Sequence, residues 1–443
     1  MLAAVLGMIL VVVSPPLYWG DENTHFLHSY RLALLRFDLS RQDDRMTIEL
    51  PRGIGKLQLL FGLDRLLRER GTGELTASQV LDRMSVEETG ETRVLEVASA
   101  NYPLLGYAPQ ALGIALARCV TRSVLLQLYA ARIANLAAWL LLVWTALRVT
   151  PAFKVAFAVV ALAPMSMFVA TTCSADAMTN GLALLWTAWI VRLALLPSRP
   201  RGAIAMVAGL GIALALVKIL YGPLVLLILT VPAARFGGPA RRGAAFVATA
   251  GGMAASAAGW VLLSRAEIAS GVRRYRLSDM GEHLAVLSAE PLRVASMVAK
   301  KIFLCTDPPW IAHVIASMWG VVEPAIVLWC WLVAVLAAML ADQRAEAWPG
   351  MRERALALSS AFIVLAAVAL AAFLLWTPAD ASEIGGFQGR YALPVLPALV
   401  VGLCPPRGLR LAARARATLG AVAFCIAAAL LAWTIVRGVG LYH

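Results

Sequence analysis

The stretch PPLYWGDENTHFLHSY, residues 15–30, sets two adjacent acids, Asp21 and Glu22, ahead of two histidines, His25 and His28. On a helix, Asp21, His25 and His28 stand at i, i+4 and i+7 on one face, and Glu22 points about 100° away. One acid can then face a cavity while its neighbour is held by the protein. An acid in a partly dry cleft can take the proton of an attacking hydroxyl. Asp is also a favoured helix N-cap, and that role does not exclude catalysis. The same three side chains could hold a divalent cation, but neither an H-E-x-x-H motif nor Cys ligands accompany them.

Three further places carry polar chemistry between apolar runs. Asp176, in TTCSADAMTN, lies in a short turn between two apolar segments, either as a helix cap or as a second carboxylate facing the same cavity. Lys218 interrupts GLGIALALVKILYGPLVLLILTVP. A cation at membrane depth faces protein or a polar cavity, or it snorkels to the headgroups. In EIGGFQGRYALP, residues 383–394, glycines let the backbone approach a ligand, with Gln388 among them. Arg390 there can clamp a phosphate through its fork of donors or anchor the chain beside Tyr391.

The elements that must position these residues are membrane helices. The 443 residues are 60% hydrophobic and 15% charged, with mean hydropathy +0.76, too little polar surface for a soluble chain. The apolar runs do not alternate with polar residues, which excludes a membrane β-barrel. The net charge of +13 gathers in short loops. These hold Arg148 and Lys154; Arg199 and Arg201; Arg235, Arg241 and Arg242; Arg344, Arg352 and Arg354; and Arg407, Arg410, Arg414 and Arg416. Their spacing is the positive-inside pattern, which places them in the cytoplasm and sets nucleic-acid binding aside. Six scattered cysteines form no zinc motif and no disulfide framework, although Cys119 and Cys305 would share the outer side.

The reading is an all-α polytopic protein with about eleven spans: 2–18, 124–147, 153–170, 177–196, 203–217, 219–231, 244–263, 321–340, 355–376, 391–403 and 417–436. Residues 2–18 lack the charge and cleavage site of a signal peptide and form the first membrane helix. Residues 19–123 make a large periplasmic loop with an amphipathic helix at 56–70 and an interfacial stretch at 100–120. Residues 124–263 form a bundle, 264–320 a second periplasmic segment, and 321–443 the last membrane helices. The amino terminus is cytoplasmic and the carboxyl terminus periplasmic. The stretch around Lys218 could be one long tilted helix, but the two basic loops flanking it favour two short helices with a turn near 218–223.

No P-loop, Rossmann fingerprint or nucleophile elbow is present, and nothing cytoplasmic is large enough for a nucleotide domain. A reaction on the outer face must therefore draw its activated donor through the membrane, and a lipid-linked phosphate meets that need. PPLYWGDENTHFLHSY, NYPLLGYAPQALGI, SADAMTN and GFQGRYALPVLP, in that order, resemble the recurring stretches of a bacterial family of multi-pass proteins of unknown function. Here the two prolines stand several residues before the acids and Gly20 directly before them, so the first stretch matches loosely. That family is similar in layout to the GT-C glycosyltransferases, which use polyprenyl-phosphate sugars. The resemblance implies Asp21 as catalytic acid position with Glu22 beside it, and Lys218 and Arg390 as contacts to the donor phosphate. Gln388, Asp176 and His25 would complete the site, in a bacterial inner membrane, with a glycan, lipid or protein acceptor. A flippase for a lipid-linked intermediate and a non-catalytic partner in polysaccharide export are the alternatives.

Overall fold

The computed structural model describes residues 1–18, 21–37, 39–42, 45–69, 75–97, 102–196, 202–265, 280–303, 325–342, 348–404 and 411–442. The first helix, α1 (Leu2–Val13), is shorter than the expected 2–18. Ser14, preceding Pro15, takes an extended conformation, and prolines donate no helical N–H. After the bend, α2 (Glu22–Ala33) begins.

A small sheet follows, which the all-α reading did not anticipate. Its strands β1 (Ser40–Gln42), β2 (Arg45–Pro51) and β3 (Thr92–Glu96) pair antiparallel in that order, with Ile48 opposite Leu95. In β2, Met46, Ile48 and Leu50 are buried, with Thr47 buried between the first two and Glu49 exposed between the last two. That alternation is too brief to stand out among long helical runs. Between the strands lie α3 (Arg52–Glu69) and α4 (Ala77–Asp82). The expected amphipathic helix is α3, begun one turn early: Ile54, Leu57 and Phe61 are buried, while Leu59, Leu63 and Leu66 are exposed.

Next come α5 (Ala108–Arg118) and α6 (Val124–Val149), an antiparallel pair. Gly113 makes the fit possible, since a Cβ there would stand 2.5 Å from the Ala130 carbonyl oxygen. The expected span 153–170 is broken into α7 (Lys154–Ala161) and α8 (Pro164–Ala170), because Pro164 starts a new helix and holds Ala163 out of the old one. The bundle continues with α9 (Asp176–Leu195), α10 (Ala203–Val217) and a 3₁₀ segment Ile219–Thr230, divided at the extended Lys218 as expected. Then follow α11 (Pro239–Leu263), α12 (Met280–Ala289), α13 (Pro291–Phe303), α14 (Ala325–Ala341) and α15 (Met351–Trp376). A 3₁₀ turn, Gly389–Val395, runs into α16 (Leu396–Leu403), and α17 (Ala413–Tyr442) ends the chain.

Among the described residues, five helices are long and apolar enough to cross a membrane: α6, α9, α11, α15 and α17. Five expected spans appear as shorter apolar segments. The most enclosed is α9, with 78% of its apolar window buried, so residues at its start lie at the heart of the bundle. One core gathers Trp139, Phe157, Trp186 and Phe373; a second joins Phe26, Ile48, Phe61 and Leu128 under the sheet. Several residues named from the sequence, Cys305, Arg199, Arg201, Arg344, Arg407 and Arg410, lie outside the described residues, as do position 70 and much of the segment 264–320.

Candidate functional site

The two adjacent acids have opposite fates. Glu22 is 2% exposed. Its Oε1 accepts from Arg132 Nε at 2.8 Å and from the Cys173 amide at 2.8 Å, while Oε2 accepts from Arg132 Nη2 at 2.5 Å and from the Leu17 amide at 2.9 Å. Arg132 also donates to the carbonyls of Val11 and Ser14, which α1 leaves unsatisfied at its end. Four donors occupy the carboxylate that the sequence sets beside Asp21. It fastens α2, the end of α1 and the turn before α9 to α6.

Asp21 occupies the N-cap position of α2, yet it makes no side-chain capping bond. Its carboxylate Oδ2 accepts from Arg390 Nη2 at 2.9 Å. Arg390 Nε lies 3.3 Å from Asp176 Oδ2, and Lys218 Nζ donates to Asp176 Oδ1 at 2.7 Å. Residues from four distant parts of the chain thus form one chain of charges: Asp21, Arg390, Asp176 and Lys218. Only Asp21 is open, its side chain 64% exposed against 9% for Asp176 and Arg390 and 8% for Lys218.

Local structure explains each position. Asp176 does not cap α9; Ser174 serves that end by accepting from the Asp176 amide at 3.2 Å, so the carboxylate is free to pair with the cations. The turn before it is tied down by Gln110 Nε2 to the Ser174 carbonyl at 2.9 Å and Asn135 Nδ2 to the Thr172 carbonyl at 2.7 Å. Lys218 is extended between two helical pieces, which aims it inward at Asp176 and rules out snorkelling. Arg390 starts a turn in which Pro394 cannot donate back to the Tyr391 carbonyl, and the Tyr221 hydroxyl donates to that oxygen at 2.8 Å. Gln388 is exposed at the edge of this turn and its carbonyl accepts from the Tyr391 amide.

Aromatic rings wall the cluster. Lys218 Nζ lies 5.3 Å from the Tyr102 ring and 4.7 Å from the Tyr391 ring, within cation–π range. His25 and His28 both pack on Tyr107, and His25 Nδ1 shares a 2.8 Å hydrogen bond with its hydroxyl. Burial pushes the His25 imidazole down to about 4, outweighing the pull of Asp176, so the ring is neutral at pH 7. Burial likewise pushes the Tyr107 phenol up. The tyrosines reach the site through Gly106, where a Cβ would stand 2.9 Å from the Ala175 Cβ.

The structure therefore brings together Asp21, His25, Asp176, Lys218 and Arg390, and sets Glu22 and Gln388 apart from the chain of charges. Sequence reasoning missed Arg132, Tyr102, Tyr107 and Asn180. Arg132 left a signal, a lone cation within an apolar run. Asn180, one turn after Asp176, is 6% exposed and neither end of its amide has a hydrogen-bond partner among the described residues. Among those residues no three His, Cys, Asp or Glu side chains are grouped to hold a metal ion. A cation at Asp21, His25 and His28 thus has no ligand set there.

Along α9, Asp176 and Arg192 are about 24 Å apart, and Arg192 donates to the Val149 carbonyl at the far end of α6. That spacing approaches the ~30 Å of a bilayer's hydrocarbon. No curated protein and no solved structure matches the chain. A family model described as predicted membrane protein, DUF2142, matches residues 4–399, a span that includes all four members of the chain of charges. The chain belongs to the DUF2142 family of predicted membrane proteins.

Proposed function

We propose that the protein is an inverting, GT-C-like glycosyltransferase that moves a sugar from a polyprenyl-phosphate donor to an acceptor hydroxyl at the periplasmic face of a bacterial inner membrane. The observation that carries this reading is the openness of Asp21 beside a buried pair of cations, when Glu22 and Asp176 are sequestered. Asp21 acts as general base: its carboxylate takes the acceptor's proton as the oxygen attacks the anomeric carbon. The bond to the lipid phosphate breaks, and the departing anion is stabilised by Arg390 in a poorly solvated setting.

The orientation is part of the proposal. Arg148, Arg192 and Arg354 lie at the bundle end opposite the cluster, with Arg354 donating to the Gly402 carbonyl. The positive-inside rule makes that end cytoplasmic. The cluster would then stand near the outer headgroups, at the level of a lipid phosphate.

A flippase would need polar groups along a path to both faces. On the Asp176 face of α9 beyond Asn180 stand Ala183 and then Thr187, whose hydroxyl is spent on the Ala183 carbonyl. So sparse a polar row along α9 favours chemistry over passage.

The test is transfer in proteoliposomes. The lipid-linked glycan that accumulates in a deletion strain is identified and supplied in labelled form to wild type and Asp21→Asn. Transfer should fall by about 10²–10⁴-fold, the usual contribution of a general base. Undiminished transfer by the folded variant sinks the proposal.

A further inference from the structure

Arg390 holds two carboxylates that are not equivalent. Asp176 is buried, lies on the most enclosed helix and is also gripped by Lys218 at 2.7 Å. Asp21 is exposed, its side chain lends nothing to the cap of α2, and it sits in the left-handed backbone region at φ 62°, uncommon for a residue with a side chain. One partner of Arg390 is fixed and the other is exchangeable.

Charge leads to the same conclusion. Among the described residues, with His25 neutral, two carboxylates face two cations in balance. Adding an anion to a buried, balanced set leaves an uncompensated charge, which is costly. Exchanging one carboxylate for an incoming anion is not. Lys218 is enclosed by Tyr102, Tyr391 and Asp176, so the phosphate contact expected of it falls to Arg390. A second, independent sign of a ligand lies one turn along the same face of α9, where Asn180 presents a buried amide without partners. Its N–H groups suit an oxyanion.

We infer that Arg390 is an anion site masked in the free protein by Asp21, and that a phosphate monoester or diester binds by displacing this carboxylate. The consequence is an ordered process. Asp21 is tied up until the anion arrives, and only the loaded site has its base released. Activated donor and free base then coexist only when the site is filled, which limits wasteful hydrolysis. The inference rests on the transferase reading for the identity of the anion and for this consequence, but not for the exchange itself.

The experiment measures binding to the purified full chain in detergent, with farnesyl phosphate, inorganic phosphate and farnesol as probes. Asp21→Asn should bind farnesyl phosphate about tenfold more tightly than wild type, because the competing carboxylate has lost its charge. Asp21→Ala should do the same, and Arg390→Gln should abolish binding in either background, while farnesol is indifferent to all three changes. Equal tightening for inorganic phosphate would show that the phosphate group alone suffices; tightening for farnesyl phosphate alone would show that the lipid is required. Either supports the exchange. Unchanged or weaker binding by both Asp21 variants overturns it. Lost turnover with unchanged binding would leave the transferase reading standing and remove the masking. Tighter binding with full turnover would do the reverse.

Discussion

At the scale of single residues, neighbours in sequence have been given different work by their partners. Asp21 and Glu22 differ by one methylene, yet one meets solvent and the other meets four donors. Asn180 is the clearest unmet polar group near the cluster. Replacing it by Leu removes a buried amide without partners and should stabilise the fold by roughly 1–2 kcal/mol, read as a higher melting temperature, while weakening binding of farnesyl phosphate. A fall in melting temperature would show that the amide is satisfied in the native protein. Acid should also weaken the fold, for two reasons of the same sign. His25 is held near 4 in the folded state, so the unfolded chain binds its proton first and stability declines as pH falls from 6.5 toward 4. Glu88 is held below the ordinary carboxylate range: burial opposes this, but hydrogen bonds from Arg118 and Tyr30 prevail. Its contribution is present above that range and is lost as pH falls below it, through the depressed folded-state value. Melting temperatures from pH 7 to about pH 4 check His25 and their continuation to more acidic pH checks Glu88, and His25→Phe should flatten the upper part of the decline.

At the scale of elements, the site exists because helices are interrupted at one level. The bend after α1, the turn before α9, the extended Lys218 and the Gly-rich loop before Arg390 all deliver polar groups to the same place. Most of these interruptions were legible in sequence: Pro15 and Pro16, the SADAMTN turn, Lys218 among aliphatic residues, and GGFQGR. The partner of each acid was not, since pairing across 369 residues, as for Asp21 and Arg390, depends on tertiary packing rather than on local pattern. The sheet was missed because β2 has too few alternating positions to compete with long apolar runs, and the break at Pro164 because flanking apolar residues masked it. The pairing of α5 with α6 positions Tyr107 and rests on Gly113. Gly113→Ala would push a Cβ into the Ala130 carbonyl and the Ala134 side chain. It should cost about 1–3 kcal/mol and reduce turnover by displacing the tyrosine. An unchanged melting temperature would show that the helices are not in contact as described.

At the scale of the whole molecule, the ion pair of Glu22 with Arg132 joins the first two helices to the bundle, whereas that of Asp21 with Arg390 joins an exposed acid to a buried cation. Leaving one member of a buried pair without its partner costs about 3–5 kcal/mol, but Asp21 is exposed and screened by solvent, and Arg390 keeps Asp176 when it is lost, so the Asp21 carboxylate contributes little to global stability. The central claim, that Asp21 is kept for work and Glu22 for structure, predicts a contrast that needs no knowledge of the substrate. The direct measurement is thermal unfolding of Asp21→Asn and Glu22→Gln side by side in the same detergent. Asp21→Asn should melt close to wild type and Glu22→Gln well below it. A large loss for Asp21→Asn, or none for Glu22→Gln, would contradict the account.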